Sequence, residues 1–125
     1  MVKNDFGLNR IKLKILLTIL EVNILGYYPS TKCIYSLLKG EYEGSEFDEV
    51  STLGSYGSIG KKACGIYINQ LKRFLLLEEI YDSRFEERYF LLTRKGEEVA
   101  NEFKKGFKPI PCPKIIKKPL FIKRK

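Results

Sequence analysis

The chain has 125 residues and a mass of 14.5 kDa, and 44% of its residues are hydrophobic, so it can form one ordinary domain with a buried core. Its formal net charge is +8, it contains no histidine, and its three cysteines (Cys33, Cys64 and Cys112) are far apart in the sequence. These counts argue against a disulfide framework, a zinc knuckle and histidine-based acid–base catalysis. Cys33 and Cys64 have apolar neighbours and are expected to be small core residues.

Membrane insertion and secretion are not expected. The most apolar run, ILLTIL at 15–20, has six residues, whereas a membrane-spanning helix needs roughly 20. The first ten residues, MVKNDFGLNR, lack the apolar core of a signal peptide. We therefore expect an intracellular protein with no membrane partner.

The positive charge is concentrated at one end of the chain. Residues 104–125 contain nine Lys or Arg, no acid and four of the five prolines, whereas residues 1–103 contain 14 basic and 15 acidic side chains. Prolines at that density favour an extended segment. We expect a lead at 1–9, a domain at 10–105 and a basic tail at 106–125. Such a tail is either an arm for a polyanion or a solubilising appendage.

The first predicted helix is Arg10–Leu25. Its apolar residues at 13, 16, 17, 20 and 24 recur with the spacing of one buried helix face. This pattern would leave Lys12, Lys14 and Glu21 on other faces. Gly26 follows as a natural helix stop.

The second predicted helix begins at Ser30 or Thr31, either of which can cap it, and ends at Gly40. Residues 41–52 follow with five carboxylates in their first nine positions. Because that spacing does not match a calcium-binding loop, a solvated loop is the better interpretation.

The third predicted helix runs from about Lys61 to Phe74 and has two contrasting faces. The expected buried face consists of Cys64, Tyr67, Ile68, Leu71 and Leu75. The opposite face consists of Lys62, Ile66, Asn69 and Arg73, flanked by Gln70 and Lys72. Such a helix packs on a core and presents polar groups to solvent.

Two short strands around a polar turn are predicted within LEEIYDSRFEERYFLLT, at 77–93. Thr93 can then cap a last helix, RKGEEVANEFKK, with Val99, Ala100 and Phe103 inward. Three helices, a hairpin and a fourth helix make an α+β, mainly α arrangement. That order predicts a winged helix, which is a helix-turn-helix followed by a β-hairpin wing.

The segment LGSYGSIGKK, at 53–62, raises the question of a nucleotide-binding loop. A Walker A loop requires four residues between its glycines and a hydroxyl after its lysine. Here five residues separate Gly54 from Gly60, and Lys62 stands where the hydroxyl is needed. We instead expect a loop that brings Ser55 and Ser58 to the start of a helix, where unpaired N–H groups and the helix dipole favour anions. A simple flexible turn is the structural alternative.

These motifs, taken in order, resemble the RecQ C-terminal (RQC) winged-helix domain of RecQ-type helicases. The resemblance covers roughly residues 10–103 and is carried by KILLTIL, LLKG, LGSYGSIGKK, INQL, LLLEE and LTRKG. It implies binding to duplex and branched DNA. In this family, groups near the third helix contact phosphates, and an aromatic residue at the hairpin tip stacks on a terminal base pair.

Three positions depart from the family pattern. Asn69 stands where an arginine is common, Leu75 where a glycine is usual, and Cys64 where a bulky aromatic is often found. The 125 residues also contain neither the helicase motor nor the zinc module that precedes the domain in that family. The resemblance therefore implies a stand-alone module that does not unwind DNA by itself.

The sequence thus predicts a non-enzymatic nucleic-acid-binding module without metal or cofactor, with DNA favoured over RNA and a role in replication or repair. A helicase or another protein is a possible partner, and a monomer is favoured. Arg84 and Phe85 lie at the expected hairpin tip, where Phe85 either contacts a base or folds back onto the strands. The full set of candidate binding residues is Ser55, Ser58, Lys61, Lys62, Asn69, Lys72, Arg73, Arg84, Phe85 and Arg88.

Two other functions fit the sequence. One is a dimeric winged-helix transcription regulator that reads a palindrome with Asn69, Gln70 and Arg73 in the major groove. The other is a winged helix that binds proteins through its Tyr/Phe-rich wing, with the proline-rich tail as a ligand.

Overall fold

A computed structural model describes residues 9–41, 46–107 and the backbone of 121–123. The elements are α1 (Arg10–Ile24), β1 (Tyr27–Pro29), α2 (Thr31–Lys39), α3 (Lys61–Arg73), β2 (Leu77–Asp82), β3 (Glu87–Leu92), α4 (Arg94–Gly106) and β4 (Phe121–Lys123). The predicted helices and hairpin are therefore present. The strands β1 and β4 were not predicted.

Local capping signals set the helix ends. The Ser30 side chain accepts a hydrogen bond from Cys33 N, and the Thr93 side chain accepts one from Gly96 N. Gly26 follows α1 with φ +99°, and Gly40 ends α2 with φ +83°. Both glycines adopt the left-handed conformation that other residues avoid. The predicted caps and stops are confirmed.

The helix α1 is the centre of the core. It is buried on nearly every side from Leu13 to Asn23, whereas Ile24, predicted to face inward, is 67% exposed. Lys14 and Glu21 lie off the predicted apolar face, but neither is fully exposed, since Lys14 is half-buried and Glu21 is buried. The reason is that α2, α3, α4 and the sheet all pack around this one helix, so it has no solvent face in its middle.

The four strands form a small antiparallel arrangement beside α1. The hairpin of β2 and β3 pairs Leu77 with Leu92 and ends with Asp82 opposite Glu87. The strand β1 pairs with β4 in a second two-stranded sheet, and an isolated bridge between Ser30, the residue after β1, and Tyr89 of β3 links the two sheets. The wing is thereby attached to the connection between α1 and α2.

The connection from α2 to α3 is long and contributes to the core. Phe47 and Val50 are buried and pack with Val22, Cys33 and Leu37 in a second apolar cluster. The prediction of a solvated loop at 41–52 is wrong for these positions, because two apolar residues among the acids are enough to anchor it. Residues 42–45 lie outside the described part of the chain.

The end of α3 differs from the prediction by one residue. Leu76, not Leu75, is the buried residue. Leu75 is 75% exposed and has φ +62°, so the chain reverses through a left-handed turn. Leu75 is one of the positions that depart from the RQC pattern in the sequence, and it adopts this left-handed conformation as a non-glycine residue.

The predicted tail is attached to the domain at two points. Phe107 is buried in the main core beside Phe103, with their ring centroids 5.3 Å apart. Residues 121–123 pair with β1. The rest of the tail, including Cys112, and residues 1–8 of the predicted lead lie outside the described residues. Asn9, the last residue of that lead, caps α1 by accepting a hydrogen bond from Lys12 N.

Candidate nucleic-acid interface

The helix α3 presents a solvent-exposed stripe. Its buried side holds Cys64, Ile68 and Leu71. The opposite side exposes the residues spaced three or four apart that were predicted, namely Lys62, Ile66, Asn69 and Arg73. The helix has four basic residues and no acidic one, and the positive charge lies at its two ends, at Lys61 and Lys62 and at Lys72 and Arg73.

The N-terminus of α3 is open. Gly60 is the N-cap residue and makes no side-chain capping bond, so the first N–H groups of the helix remain available to an outside acceptor. Ser58, Lys61 and Lys62 are exposed at this end. The helix dipole and two lysines therefore act together on any anion placed there.

The first half of the glycine motif holds the fold together. Gly54 N donates to Leu37 O at 2.8 Å, and Tyr56 N donates to Leu38 O at 2.9 Å. These bonds attach the motif to carbonyls at the end of α2, where the last carbonyls of a helix have no partner within the regular helical pattern, and Leu37 O also accepts from Gly40 N at 3.0 Å. Gly54, with φ +70°, makes the required turn. The motif therefore caps one helix before it leads into the next.

Ser55 faces the protein rather than solvent. Its carbonyl oxygen accepts a hydrogen bond from Lys14 Nζ at 2.9 Å. Its Oγ is buried and has no partner. In this conformation that hydroxyl does not reach solvent, so of the two predicted serines only Ser58 is exposed.

Lys14 was not identified from the sequence. Burial lowers its pKa, and the nearby positive charge of Arg10 lowers it further. Its ammonium lies 5.8 Å from the Tyr56 ring centroid, within cation–π range. It therefore ties α1 to the glycine motif and fixes the approach to α3.

Two candidate residues are engaged within the protein. Lys72 Nζ lies 3.0 Å from Glu79 Oε1, and Arg88 Nε lies 3.4 Å from Glu79 Oε2. Glu79 on β2 thus partly neutralises both cations. Gln70 is also turned in, since its Oε1 is buried without a partner. The available positive charge on α3 is consequently that of Lys61, Lys62 and Arg73.

The wing tip brings Arg84 and Phe85 together. Phe85 is 64% exposed in the turn between β2 and β3 and does not fold back onto the strands. Arg84 forms a two-pronged contact with Asp82, with Nε–Oδ1 at 3.1 Å and Nη2–Oδ2 at 2.7 Å. Hydrogen bonding to Arg84 lowers the pKa of Asp82. The Arg84 guanidinium lies 5.4 Å from the Phe85 ring centroid, within cation–π range.

The wing as a whole is acidic. Residues 77–92 contain five acidic and two basic side chains. A phosphate would be attracted to α3 and repelled from most of the wing. The flat face of Phe85 is unaffected by this difference, because stacking does not require a phosphate contact.

Asn23, which orients the wing, was missed from the sequence. Its Nδ2 donates to Tyr27 O at 2.9 Å and to Phe90 O at 3.4 Å, and its Oδ1 accepts from Leu92 N at 3.1 Å. One amide therefore joins α1 to both β1 and β3. The available signal was a polar residue inside an otherwise apolar helix segment, EVNIL.

Glu21 makes a second buried connection. Its Oε1 accepts hydrogen bonds from Ser51 N at 2.7 Å and Ser51 Oγ at 2.6 Å, and its Oε2 lies 3.0 Å from Lys104 Nζ. It thus ties α1 to the long connection and to α4. Within the described ranges, no group of acidic and cysteine side chains could hold a metal ion, and no helix is long and apolar enough to cross a membrane.

Comparison with solved structures identifies the architecture. Lactococcus lactis ZitR (C30S mutant) is similar to 84% of this chain, with a TM-score of 0.59 and 18% identity, and the match spans 56% of the ZitR chain. The fold is a winged helix. AF1382 from Archaeoglobus fulgidus is also similar, with a TM-score of 0.55 and 17% identity over 79% of this chain and 86% of that one.

These winged-helix similarities concern the fold, because both identities are low. No protein-family model and no curated protein sequence matches the chain. The resemblance to the RQC domain therefore stays a prediction from the sequence motifs.

Proposed function

We propose that this winged helix is a non-enzymatic DNA-binding module that places α3 against a duplex and its wing tip against an end or fork. The observation that carries the proposal is the surface of α3. Apart from the apolar Ile66, its exposed stripe and open N-terminus have basic and polar side chains and no acid, although residues 1–103 as a whole are nearly neutral. A positive helix on a neutral domain is the footprint expected of phosphate binding.

DNA is the favoured nucleic acid because of the shape of its grooves. The major groove of B-form DNA admits an α-helix, whereas that of A-form RNA is too deep and narrow for side chains to read. Asn69 and Arg73 are exposed on the α3 face, where a groove-bound helix would present them to bases or phosphates.

Salt dependence tests the electrostatic part of the proposal. Fluorescence anisotropy with a forked duplex should show affinity falling steeply between about 50 and 200 mM salt, because each neutralised phosphate releases condensed counterions. An affinity that does not change over this range would contradict the proposal. The same titration with single strand, continuous duplex and RNA would rank the substrates.

The basic tail is proposed to add non-specific affinity. Deleting all of 104–125 would also remove the buried Phe107 and the ion pair between Lys104 and Glu21. Replacing Lys114, Lys117 and Lys118 by glutamine avoids this damage. We expect that variant to bind DNA with a shallower salt dependence and an unchanged melting temperature, and an unchanged salt dependence would assign the tail a solubilising role.

The wing tip is proposed to stack on a terminal base pair through Phe85. Tyr81 offers a matched control, since it is an aromatic residue on the same wing, 56% exposed, but away from the tip. Phe85→Ala should weaken binding to forks and ends by about 1–3 kcal/mol and should affect a long continuous duplex much less. Tyr81→Ala should leave the preference for ends intact. Equal losses on both substrates for Phe85→Ala would refute the stacking role.

The proposal also includes a partner protein. The RQC-like motifs favour action beside a helicase in replication or repair. Charge and proline distribution favour a lead at 1–9, a domain at 10–105 and a tail at 106–125, and we propose that the protein acts inside the cell as a monomer. The acidic wing favours one alternative, a protein-binding winged helix that uses the exposed Ile80 and Tyr81 of β2. A partner bound there would be displaced by Tyr81→Ala and not by changes in α3.

The dimeric-regulator alternative requires a dimer interface and exposed base-reading residues. In the described ranges, every helix packs into the monomer core and none extends as a separate dimer seam. Gln70, one of its proposed base-reading residues, has a buried amide oxygen. Light scattering distinguishes this alternative directly.

A further inference from the structure

Ile66 is an apolar side chain in a polar surface. It is 47% exposed in the exposed stripe of α3, between Lys62 and Asn69 along the helix. The neighbouring buried positions of α3, Cys64 and Ile68, already fill the core side. Since about half of the Ile66 side chain faces solvent, core packing alone does not account for a large aliphatic residue at this position.

Gly65 beside it also lacks an internal explanation. It lies in the middle of α3, where glycine is less favourable than alanine, and a Cβ added to it would meet no atom within 4 Å. Gly96 in α4 is different, because its Cβ would lie 2.1 Å from Leu76 O. The absence of a side chain at Gly65 thus leaves open space on the outer surface of α3, where an external group can approach the helix backbone.

From these two positions we infer that Gly65, Ile66 and Asn69 contact base edges in the major groove, with Ile66 against the methyl group of thymine. This inference rests on the proposed DNA-binding function and adds base preference to it. The absence of a side chain at Gly65 allows the helix backbone to approach the floor of the major groove, and Ile66 supplies the apolar contact. The expected preference is for duplexes rich in A·T pairs.

The chemistry of the groove supports this assignment. The thymine methyl group is the apolar feature that the major groove offers, and aliphatic side chains contact it. Asn69, one helical turn beyond Gly65, has an amide that can donate to adenine N7 and accept from adenine N6. An aliphatic residue and an asparagine three positions apart can therefore address the two bases of A·T pairs, while Lys62 and Arg73 reach toward phosphates.

The test removes the methyl group without changing base pairing. Anisotropy is measured on an alternating A·T duplex of about 20 pairs and on the same duplex with deoxyuridine in place of thymidine. The wild-type protein should bind the uracil duplex about three- to fivefold more weakly, as expected for losing one buried methyl contact. Ile66→Ala should bind both duplexes equally and about as weakly as the wild type binds uracil.

Ile24→Ala is the matched control. Ile24 is an equally apolar residue, 67% exposed at the end of α1 and outside α3, so its variant should keep the full sensitivity to the methyl group. Gly65→Ala provides a second readout. It should raise the melting temperature by about 2–5 °C, because alanine favours the helix, and should weaken duplex binding about tenfold or more through steric interference.

The results separate the two levels of the proposal. The base-contact inference is overturned if the wild-type protein binds the thymine and uracil duplexes equally. It is also overturned if Ile66→Ala still binds the uracil duplex more weakly than the thymine duplex. In either case, binding that weakens with salt would still support the DNA-binding function. If the Gly65→Ala variant is more stable and binds DNA as tightly as the wild type, the inferred close approach of DNA to the helix backbone at Gly65 is wrong. No binding to any duplex overturns both.

Discussion

The same substitution at two helical glycines should have opposite effects on stability. Gly96 lies in the first turn of α4, and a Cβ there would lie 2.1 Å from Leu76 O and 3.0 Å from its carbonyl carbon. Side-chain carbons do not approach oxygen that closely, so Gly96→Ala must push the two segments apart by about 1 Å. The same carbonyl accepts a hydrogen bond from Thr93 N at 3.1 Å, which that movement would strain.

The magnitude follows from three contributions. Overpacking costs about 1–3 kcal/mol, and weakening one buried hydrogen bond costs about 0.5–1.5 kcal/mol. Replacing glycine by alanine in a helix regains about 0.8–1 kcal/mol. We therefore expect Gly96→Ala to lower the free energy of unfolding by about 2 kcal/mol, measured by urea denaturation followed by circular dichroism.

Gly65→Ala in α3 is the matched control for this prediction. Its added Cβ meets no neighbouring atom within 4 Å, so only the helical preference of alanine remains and stability should rise by about 0.5–1 kcal/mol. If Gly96→Ala were as stable as the wild-type protein, the close packing of α4 on Leu76 would be refuted. The glycine of the LTRKG motif would then need another explanation.

Three further outcomes are expected. Asn23→Ala should lower the free energy of unfolding by about 2–3 kcal/mol, because it removes the buried acceptor of Leu92 N–H and two donated hydrogen bonds. An unchanged rate of hydrogen exchange at the Leu92 amide would contradict this prediction. In a Cys112→Ser background the native protein should not react with a thiol reagent at pH 8, because burial raises the pKa of Cys64 to about 12 and also raises the pKa of Cys33. A fast-reacting thiol would show that Cys33 or Cys64 is accessible. Light scattering should give one chain of 14.5 kDa, and twice that mass would favour the regulator.

Much of the fold was predictable because its signals are local. Ser30 and Thr93 cap helices through bonds to backbone only three residues away, and Gly26 and Gly40 end helices through their own backbone angles. The spacing of Lys62, Ile66, Asn69 and Arg73 placed them correctly on one exposed stripe. Each of these features depends on a short stretch of sequence.

The remaining features depend on contacts between distant segments. Lys14 reaches the carbonyl of Ser55, and Asn23 bonds the backbone at Leu92, so their orientations were set by partners 41 and 69 residues away. Glu79 engages both Lys72 and Arg88, which the sequence presented as independent candidate binding residues. A helical pattern alone cannot show that a charged residue is already paired.

The most direct measurement compares two pairs of lysines for their effect on DNA binding. Lys61 and Lys62 are exposed at the open end of α3, whereas Lys95 and Lys105 are exposed on α4 and pair there with Glu98 and Glu102. Replacing either pair by glutamine removes the same charge.

With a mixed-sequence duplex, the change at Lys61 and Lys62 should weaken binding and reduce the slope of log affinity against log salt by about 2, because each lost phosphate contact accounts for about 0.9 of that slope. The change at Lys95 and Lys105 should leave both nearly unaltered. Equal effects of the two pairs would contradict the assignment of α3 as the DNA-facing helix.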